Sequence, residues 1–143
     1  MPAYFDTSVV LSILVGDQFT RRACLWWEEH QDRVSSILLE AESVITLRRH
    51  HRQHQKTHGN RWLADRLSEL RSMLEEIKLQ NVDEEVVKIL ASEERLSGCR
   101  SLDALHLATI LFLQAGSDEP LVVCTFDAEM AKLAGKIGLE VRP

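Results

Sequence analysis

Two aspartates follow short apolar runs near opposite ends of the chain. Asp6 comes directly after the run that ends in Tyr4-Phe5, and Asp127 follows the apolar residues 121–125. Helical segments are predicted after both, with Thr7 or Ser8 as the cap of the first. Open α/β sheets place their ligand sites at the carboxyl ends of parallel strands. We therefore expect Asp6 and Asp127 to lie at the same edge of one sheet.

Two further acids could join them. Asp103 lies in the first turn of a predicted helix over residues 102–114, where the helix dipole favours an acid, so simple capping is the alternative. Glu42 projects from the apolar side of its predicted helix, and a charge there is costly unless it is paired or binds a metal. Glu40 is the rival, but its neighbours form a more polar edge. We prefer Glu42.

Four carboxylates gathered in one domain would repel one another and raise each other's pKa unless a cation neutralised them. Oxygen ligands without cysteine suit magnesium or manganese. Such a centre lowers the pKa of bound water and can clamp the oxygens of a phosphodiester. A structural calcium site is the alternative, but the sequence contains no compact loop of alternating acids.

The pattern of apolar residues alternates between strands and helices along the chain. At 143 residues, the length predicts one domain over residues 1–143. This alternation predicts a three-layer α/β/α fold with a central, mostly parallel sheet. The predicted strands are the run before Asp6, then residues 33–35, 77–79, 121–125 and 139–141; the predicted helices cover residues 9–15, 18–30, 37–54, 61–76, 83–98, 102–114 and 127–134, with Ser36, Asp83 and Ser101 as caps.

Composition and charge argue against several classes of protein. No apolar run approaches the roughly 20 residues that a membrane span needs, and we see no secretory leader before Tyr4. Three widely spaced cysteines predict reduced thiols, and hence a cytoplasmic protein. The net charge of −5 argues against a surface that coats nucleic acid generally, although it permits a local basic patch.

Four segments in order resemble the PIN-domain nucleases, specifically the VapC toxins of bacterial toxin–antitoxin pairs. The resemblance covers nearly the whole chain. It rests on Tyr4-Phe5-Asp6-Thr7-Ser8, on Ser35-Ser36 through Glu42 to Leu47-Arg48-Arg49, on Ser101-Leu102-Asp103-Ala104-Leu105-His106-Leu107-Ala108, and on Val123-Cys124-Thr125-Phe126-Asp127 with the tail from Leu133 to Gly138-Leu139.

The resemblance implies an endoribonuclease that depends on magnesium or manganese, with Asp6, Glu42, Asp103 and Asp127 as its catalytic and metal-binding acids. Ser8 and Thr125 match family positions that support the acids or the metal waters. The serine-to-glutamate spacing departs from the family pattern by one residue, which keeps Glu40 open as the ligand. We interpret His106 as structural, packed beside Asp103.

The resemblance also implies partners: a homodimer and a VapB-like antitoxin whose tail blocks the acidic groove, often with an arginine. Trp26 and Trp27 are interpreted as packing residues that could also contribute to an interface. A non-catalytic module, whose acids only receive a partner's arginine, is the alternative function. Phosphoacceptor domains fit less well, because Ser8 stands where phosphatases of that kind need a second aspartate.

The segment from Arg48 to Arg66 is basic and rich in histidine. We consider three interpretations: contact with RNA phosphates, an exposed helical hairpin without a ligand, and a histidine metal site. The last is the least favoured, because the spacing gives no convincing closed ligand set. The candidates for phosphate contact are Arg48, Arg49, Arg52, Lys56, Arg61 and Arg66.

Overall fold

A five-stranded sheet forms the centre of the computed structural model, which describes residues 1–143. The strands are β1 (Ala3–Phe5), β2 (Arg33–Ser36), β3 (Lys78–Gln80), β4 (Val122–Cys124) and β5 (Glu140–Val141). Their order is β3-β2-β1-β4-β5, and every neighbouring pair is parallel. The sheet is therefore wholly parallel, where the sequence predicted a mostly parallel one.

Helices cover both faces of this sheet and complete a three-layer α/β/α fold. Helices α1 to α4 pack together on one side, and α5, α6 and α7 lie on the other with a short 3-10 helix. None of the helices is both long and apolar enough to cross a membrane. The helices are α1 (Thr7–Val15), α2 (Thr20–Glu29), α3 (Leu38–Gln53), α4 (Trp62–Leu74), α5 (Glu84–Ser92), α6 (Ser101–Ala115) and α7 (Ala128–Lys136), and the 3-10 helix is Glu94–Gly98.

Strand β1 is buried on both faces because it lies in the middle of the sheet. Its Tyr4 joins the core under α5, α6 and α7, whereas Ala3 and Phe5 join the core under α1 and α2. All three side chains have 0% of their surface exposed. A strand covered in this way is a continuous apolar run, which is the pattern that the sequence shows before Asp6.

Several helix beginnings differ from the sequence prediction. The cap of α1 is Asp6, whose side chain accepts from the Ser8 amide, and not Thr7 or Ser8. Asp6 is the last extended residue, with φ −71° and ψ 155°, so its carboxylate can reach forward to the helix. Helix α6 already includes Ser101 and has no side-chain cap. Asp83 caps α5 as predicted.

One predicted helix is divided in two. The sequence predicts a single helix over residues 83–98, but α5 ends at Ser92 and a 3-10 helix follows. Glu93 separates them because its backbone is not helical, with φ −108° and ψ 89°. The break allows the chain to change direction before α6 begins.

The order of strands places a crevice at the centre of the sheet. From β1 the chain moves outward through β2 to β3, and it then crosses back to β4 on the other side of β1. Ligands of open α/β sheets bind where the strand order reverses in this way, outside the carboxyl ends of the strands. Asp6 follows β1 and Asp127 follows β4, so the two lie on either side of this point.

Burial of Leu107 on α6 gives a direct test of the core. Its side chain is 0% exposed, whereas Leu25 on α2 is 50% exposed. We expect Leu107→Ala to lower the free energy of unfolding by about 2–5 kcal/mol, because it removes buried methyl groups and leaves a cavity. Leu25→Ala should change it by less than about 0.5 kcal/mol. Urea unfolding of both variants checks this; equal losses would contradict the described packing.

Candidate functional site

Asp6 is held in place by two hydroxyl groups. Its Oδ2 accepts hydrogen bonds from Ser8 Oγ at 2.7 Å and from Thr125 Oγ1 at 2.8 Å. The side chain is only 5% exposed. Both donors contact the same oxygen, so Oδ1 has no hydrogen bond within the protein. Asp6 therefore offers one fixed and available carboxylate oxygen.

The same hydroxyl groups connect the ends of β1 and β4. Ser8 Oγ accepts from the Phe126 amide, and Thr125 Oγ1 accepts from the Asp127 amide, each at 3.0 Å. Asp127 in turn caps α7, because its Oδ1 accepts from the Met130 amide at 3.0 Å. Its Oδ2 has no hydrogen bond within the protein. Asp127 thus resembles Asp6, with one oxygen occupied and one available.

Glu42 on α3 is the glutamate that the structure brings to this edge. Its Oε1 accepts from Thr7 Oγ1 at 3.1 Å and contacts His106 Nε2 at 2.5 Å, which leaves Oε2 without a partner in the protein. Glu40 is exposed and makes none of these contacts. The departure in serine-to-glutamate spacing is therefore accommodated by the way that α3 packs, and the geometry favours Glu42.

Thr7 and His106 also determine the pKa of Glu42. Burial alone would raise it, but the hydrogen bond and charge of His106 and the hydrogen bond of Thr7 outweigh burial and lower this pKa below its ordinary value. The expectation that every acid of the cluster has a raised pKa is therefore wrong for Glu42. Its nearest charged neighbour is a histidine, and not another carboxylate.

His106 links Glu42 to the core. Its ring is 1% exposed, and its Nδ1 lies 2.6 Å from the Tyr4 hydroxyl. The neutral form with a proton on Nε2 satisfies both contacts, since Tyr4 then donates to Nδ1 and Nε2 donates to Glu42. Burial lowers the pKa of His106, but the hydrogen bond to Glu42 and the charges of Asp6 and Asp103 raise it overall.

Sequence reasoning missed this role, because it gave His106 only a packing function beside Asp103. The spacing of three residues between Asp103 and His106 places both on one face of α6 and was the signal available. The hydrogen bond from Thr7 to Glu42 was not predicted either, because Thr7 was considered only as a helix cap.

Asp103 in the first turn of α6 has no hydrogen bond and no ion pair. Its pKa is raised, first by burial and then by the negative charges of Asp127 and Asp6, with a smaller contribution from Glu42. Asp103 therefore lies within range of the charges of the other three acids. Only Glu42 among the four acids contacts a basic side chain, that of His106.

The available atoms are all carboxylate oxygens, the donors that a hard divalent cation prefers. Each acid keeps at least one carboxylate oxygen free of protein hydrogen bonds: Oδ1 of Asp6, Oε2 of Glu42, Oδ2 of Asp127 and both oxygens of Asp103. Donor sets made only of oxygen suit magnesium or manganese. The hydroxyl groups of Ser8 and Thr125 already donate to Asp6, so they support the acids.

The basic segment begins beside this cluster. Arg49 and Glu42 line one cleft of about 350 Å³, together with Thr46 and the exposed Leu102. Arg49 follows Glu42 by seven positions on α3, and this spacing corresponds to about 10 Å along the helix axis. Arg48, Arg52, Lys56 and Arg61 are also exposed but line no part of this cleft, and Arg66 pairs with Glu69 at 2.7 Å.

A wholly parallel sheet, covered by helices on both faces and with acidic side chains at its carboxyl edge, defines an open α/β protein of three layers. The sequence matches the family model described as "PIN domain" over residues 3–136. The chain belongs to the PIN domain family. PIN domains are generally nucleases and generally use divalent metal ions.

A solved structure supports the same fold. One chain of a toxin–antitoxin complex from Klebsiella pneumoniae superimposes with a TM-score of 0.64, at 18% sequence identity. The alignment covers 99% of this chain and 96% of that one. No curated protein matches the sequence.

Opposite pKa shifts at Asp103 and Glu42 predict opposite effects on stability in metal-free protein. The raised pKa of Asp103 means that its charge penalises the folded state at neutral pH, and this penalty shrinks as the pH falls toward the unfolded value of about 4. We expect Asp103→Asn to stabilise the protein at pH 7, to have a smaller effect near pH 4 and to have none well below the unfolded pKa. Urea unfolding with a chelator present measures this.

Glu42→Gln should instead destabilise the protein at pH 7 by about 1–2 kcal/mol, because it loses a charge-assisted hydrogen bond. The lowered pKa of Glu42 means that its contribution is present above about pH 4.3 and is lost as the pH falls through the folded value. Glu40→Gln is the matched control and should be neutral. If Asp103→Asn and Glu42→Gln changed the free energy of unfolding in the same direction at pH 7, this result would contradict the described electrostatics.

Proposed function

We propose that residues 1–143 form a single nuclease domain, a magnesium- or manganese-dependent endoribonuclease that acts as the toxin of a toxin–antitoxin pair. One observation carries the proposal: four acids from the two ends and the middle of the chain meet at the sheet edge, and each keeps a free oxygen. Membership of the PIN family supports nuclease activity. Three free cysteines fit a reducing, cytoplasmic location.

Each residue of the proposed centre has a distinct task. Asp6, Glu42, Asp103 and Asp127 would hold the cation through their free oxygens. Such a cation lowers the pKa of bound water and clamps the oxygens of a phosphodiester during in-line attack. Because ligands must be deprotonated and the pKa of Asp103 is raised, cation affinity should rise with pH.

The supporting residues fix the acids in position. Ser8 and Thr125 hold Oδ2 of Asp6, so that only Oδ1 is available to a ligand. His106, itself bound by Tyr4, does the same for Oε1 of Glu42. Metal centres depend on such outer contacts to orient their ligands. In this proposal His106 is a positioning residue, because its contact to the centre passes through Glu42.

The position of Arg49 supports the proposal that the substrate contains phosphate. It shares a cleft with Glu42, so a phosphate on Arg49 would lie beside the acidic centre. Arg48, Arg52, Lys56 and Arg61 continue the positive charge away from the centre and would meet the rest of an RNA strand. These contacts give affinity and orientation, and they carry no sequence information.

The proposed partners are a second copy of the chain and an antitoxin. The cleft that contains Glu42 also presents the exposed apolar residues Ile45 and Leu102, so a partner segment could cover the acids. The similar chain of known structure comes from a toxin–antitoxin complex. Trp26 contributes nothing to this surface, because it is 3% exposed and stacks on Phe126.

The central test is the substitution Asp6→Asn, which keeps the shape of the side chain and removes its charge. We expect it to lower RNA cleavage at least a hundredfold, because the cation loses a charged ligand. Magnesium at a hundredfold excess over its Kd should stabilise the wild type by about 2.7 kcal/mol and leave Asp6→Asn nearly unchanged. Cleavage of RNA with mapped termini and thermal melting, each with and without magnesium, measure the two effects.

Asp118→Asn is the matched control, because Asp118 is exposed and precedes the amino end of β4, whereas Asp127 follows the carboxyl end. It should retain full cleavage and the full response to magnesium. Cleavage by Asp6→Asn at the rate of the control would refute the assignment of the site. Magnesium binding without any cleavage by purified wild-type protein would favour the non-catalytic module, whose acids receive a partner's arginine.

Arg49→Ala tests the phosphate contact. We expect weaker RNA binding and a fall of about one in the slope of log affinity against log salt, since one phosphate contact is lost. Fluorescence anisotropy with a chelator present measures binding without cleavage. Arg71→Ala on α4 is exposed and serves as the control. An unchanged salt slope for Arg49→Ala would show that RNA does not contact this cleft.

A further inference from the structure

Three histidines meet at the end of α3, away from the acidic cluster. His50 and His54 are one helical turn apart, and His58 follows in the turn that leads to α4. One ring nitrogen from each lies within 4.8 Å of the other two. The ring centroids of His50 and His54 are 4.2 Å apart, and those of His50 and His58 are 5.1 Å apart. The sequence spacing had indicated no such closed set.

Lone pairs are available within this cluster. His54 Nδ1 donates to the His50 carbonyl oxygen at 3.0 Å, so in the neutral ring Nε2 presents a lone pair. Metal-binding histidines are commonly oriented by this kind of bond to a backbone carbonyl. His50 Nδ1 and His58 Nε2 are both buried without a hydrogen-bond partner. A buried nitrogen without a partner is costly, and a bound cation would remove that cost.

Trp62 stacks on two of the three rings, those of His50 and His58. Its indole stacks on His58 with centroids 4.1 Å apart and on His50 with centroids 5.3 Å apart. Because Trp62 is the first residue of α4, the cluster connects the end of α3 to the beginning of the next helix.

We propose that His50, His54 and His58 bind a transition-metal ion of the zinc class, which pins the end of α3 to the start of α4. Three imidazole nitrogens without a carboxylate suit zinc and not magnesium. Two histidines four residues apart on a helix are a common zinc-binding pair. Three protein ligands leave the fourth tetrahedral position open to water or to a donor from a partner.

This site is separate from the proposed nuclease centre. His50 follows Glu42 by eight residues on α3, which is about 12 Å along the helix. The pinned segment carries Lys56 and Arg61, two of the candidate RNA contacts. Metal binding would therefore fix the position of these cations, whether or not the acidic cluster cleaves RNA.

The test is zinc binding by the full-length chain without an affinity tag. We expect the wild type and Asp6→Asn to bind one zinc ion per chain in competition with a chromophoric chelator. His54→Gln should weaken binding at least about tenfold, and so should His58→Gln, since each removes a ligand. His54 is exposed, so its replacement leaves the packing of the fold intact. His51→Gln is the matched control, because His51 neighbours the cluster without belonging to it.

A second measurement tests the pinning itself. Zinc should slow tryptic cleavage after Lys56 and Arg61 in the wild type but not in His54→Gln, while cleavage after Arg71 stays unchanged in both. Equal zinc affinity in the wild type, His54→Gln and His58→Gln would overturn the proposal. Loss of zinc binding in Asp6→Asn alone would assign the ion to the acidic cluster and would overturn it as well.

Discussion

Like charges gathered at one edge of a sheet repel one another, and the polar contacts around the four acids offset that repulsion unequally. Asp6 and Asp127 cap helices, so backbone amides compensate part of their charge. Glu42 has His106. Asp103 has no polar partner, and its pKa is raised first by burial and then by the charges of Asp127 and Asp6. The protein therefore offers polar contacts to three acids and none to the fourth.

The core and the candidate site are coupled through β1. Alternate residues of this strand pack on opposite faces, so Tyr4 points to α6 while Phe5 points to α1 and α2. The Tyr4 hydroxyl then holds His106, and His106 holds Glu42. Glu42 is thus positioned by a chain of contacts that begins in the most buried strand. A centre supported in this way is more rigid than one built on loops alone.

Acidic and basic residues lie in different halves of helix α3. Helix α3 carries Glu42 in its first half and the basic residues Arg48, Arg49 and Arg52 in its second half. The whole protein is acidic, with a net charge of −5, so the basic segment is a local feature. On an acidic protein, a local basic segment would favour one binding orientation of an anionic strand over others. The histidine cluster lies at the end of the same segment.

The amino-acid sequence by itself determined the alternation of strands and helices, the three-layer arrangement and the positions of Asp6 and Asp127 at the sheet edge. These features follow from short-range signals, because apolar runs, helical periodicity and turn residues act within a few positions of one another. The cap of α1 was predicted at Thr7 or Ser8, whereas it is Asp6. The sequence pattern does not specify at which of these neighbouring residues the backbone first becomes helical.

Only the tertiary structure placed Glu42 against Thr7 and His106, gave His106 its partners and brought three histidines together. The contacts from His106 to Glu42 and to Tyr4 span 64 and 102 residues of sequence. The meeting of His58 with His50 depends on how the turn after α3 folds back toward Trp62. No local pattern encodes such contacts, because they depend on how helices rotate and pack against the sheet.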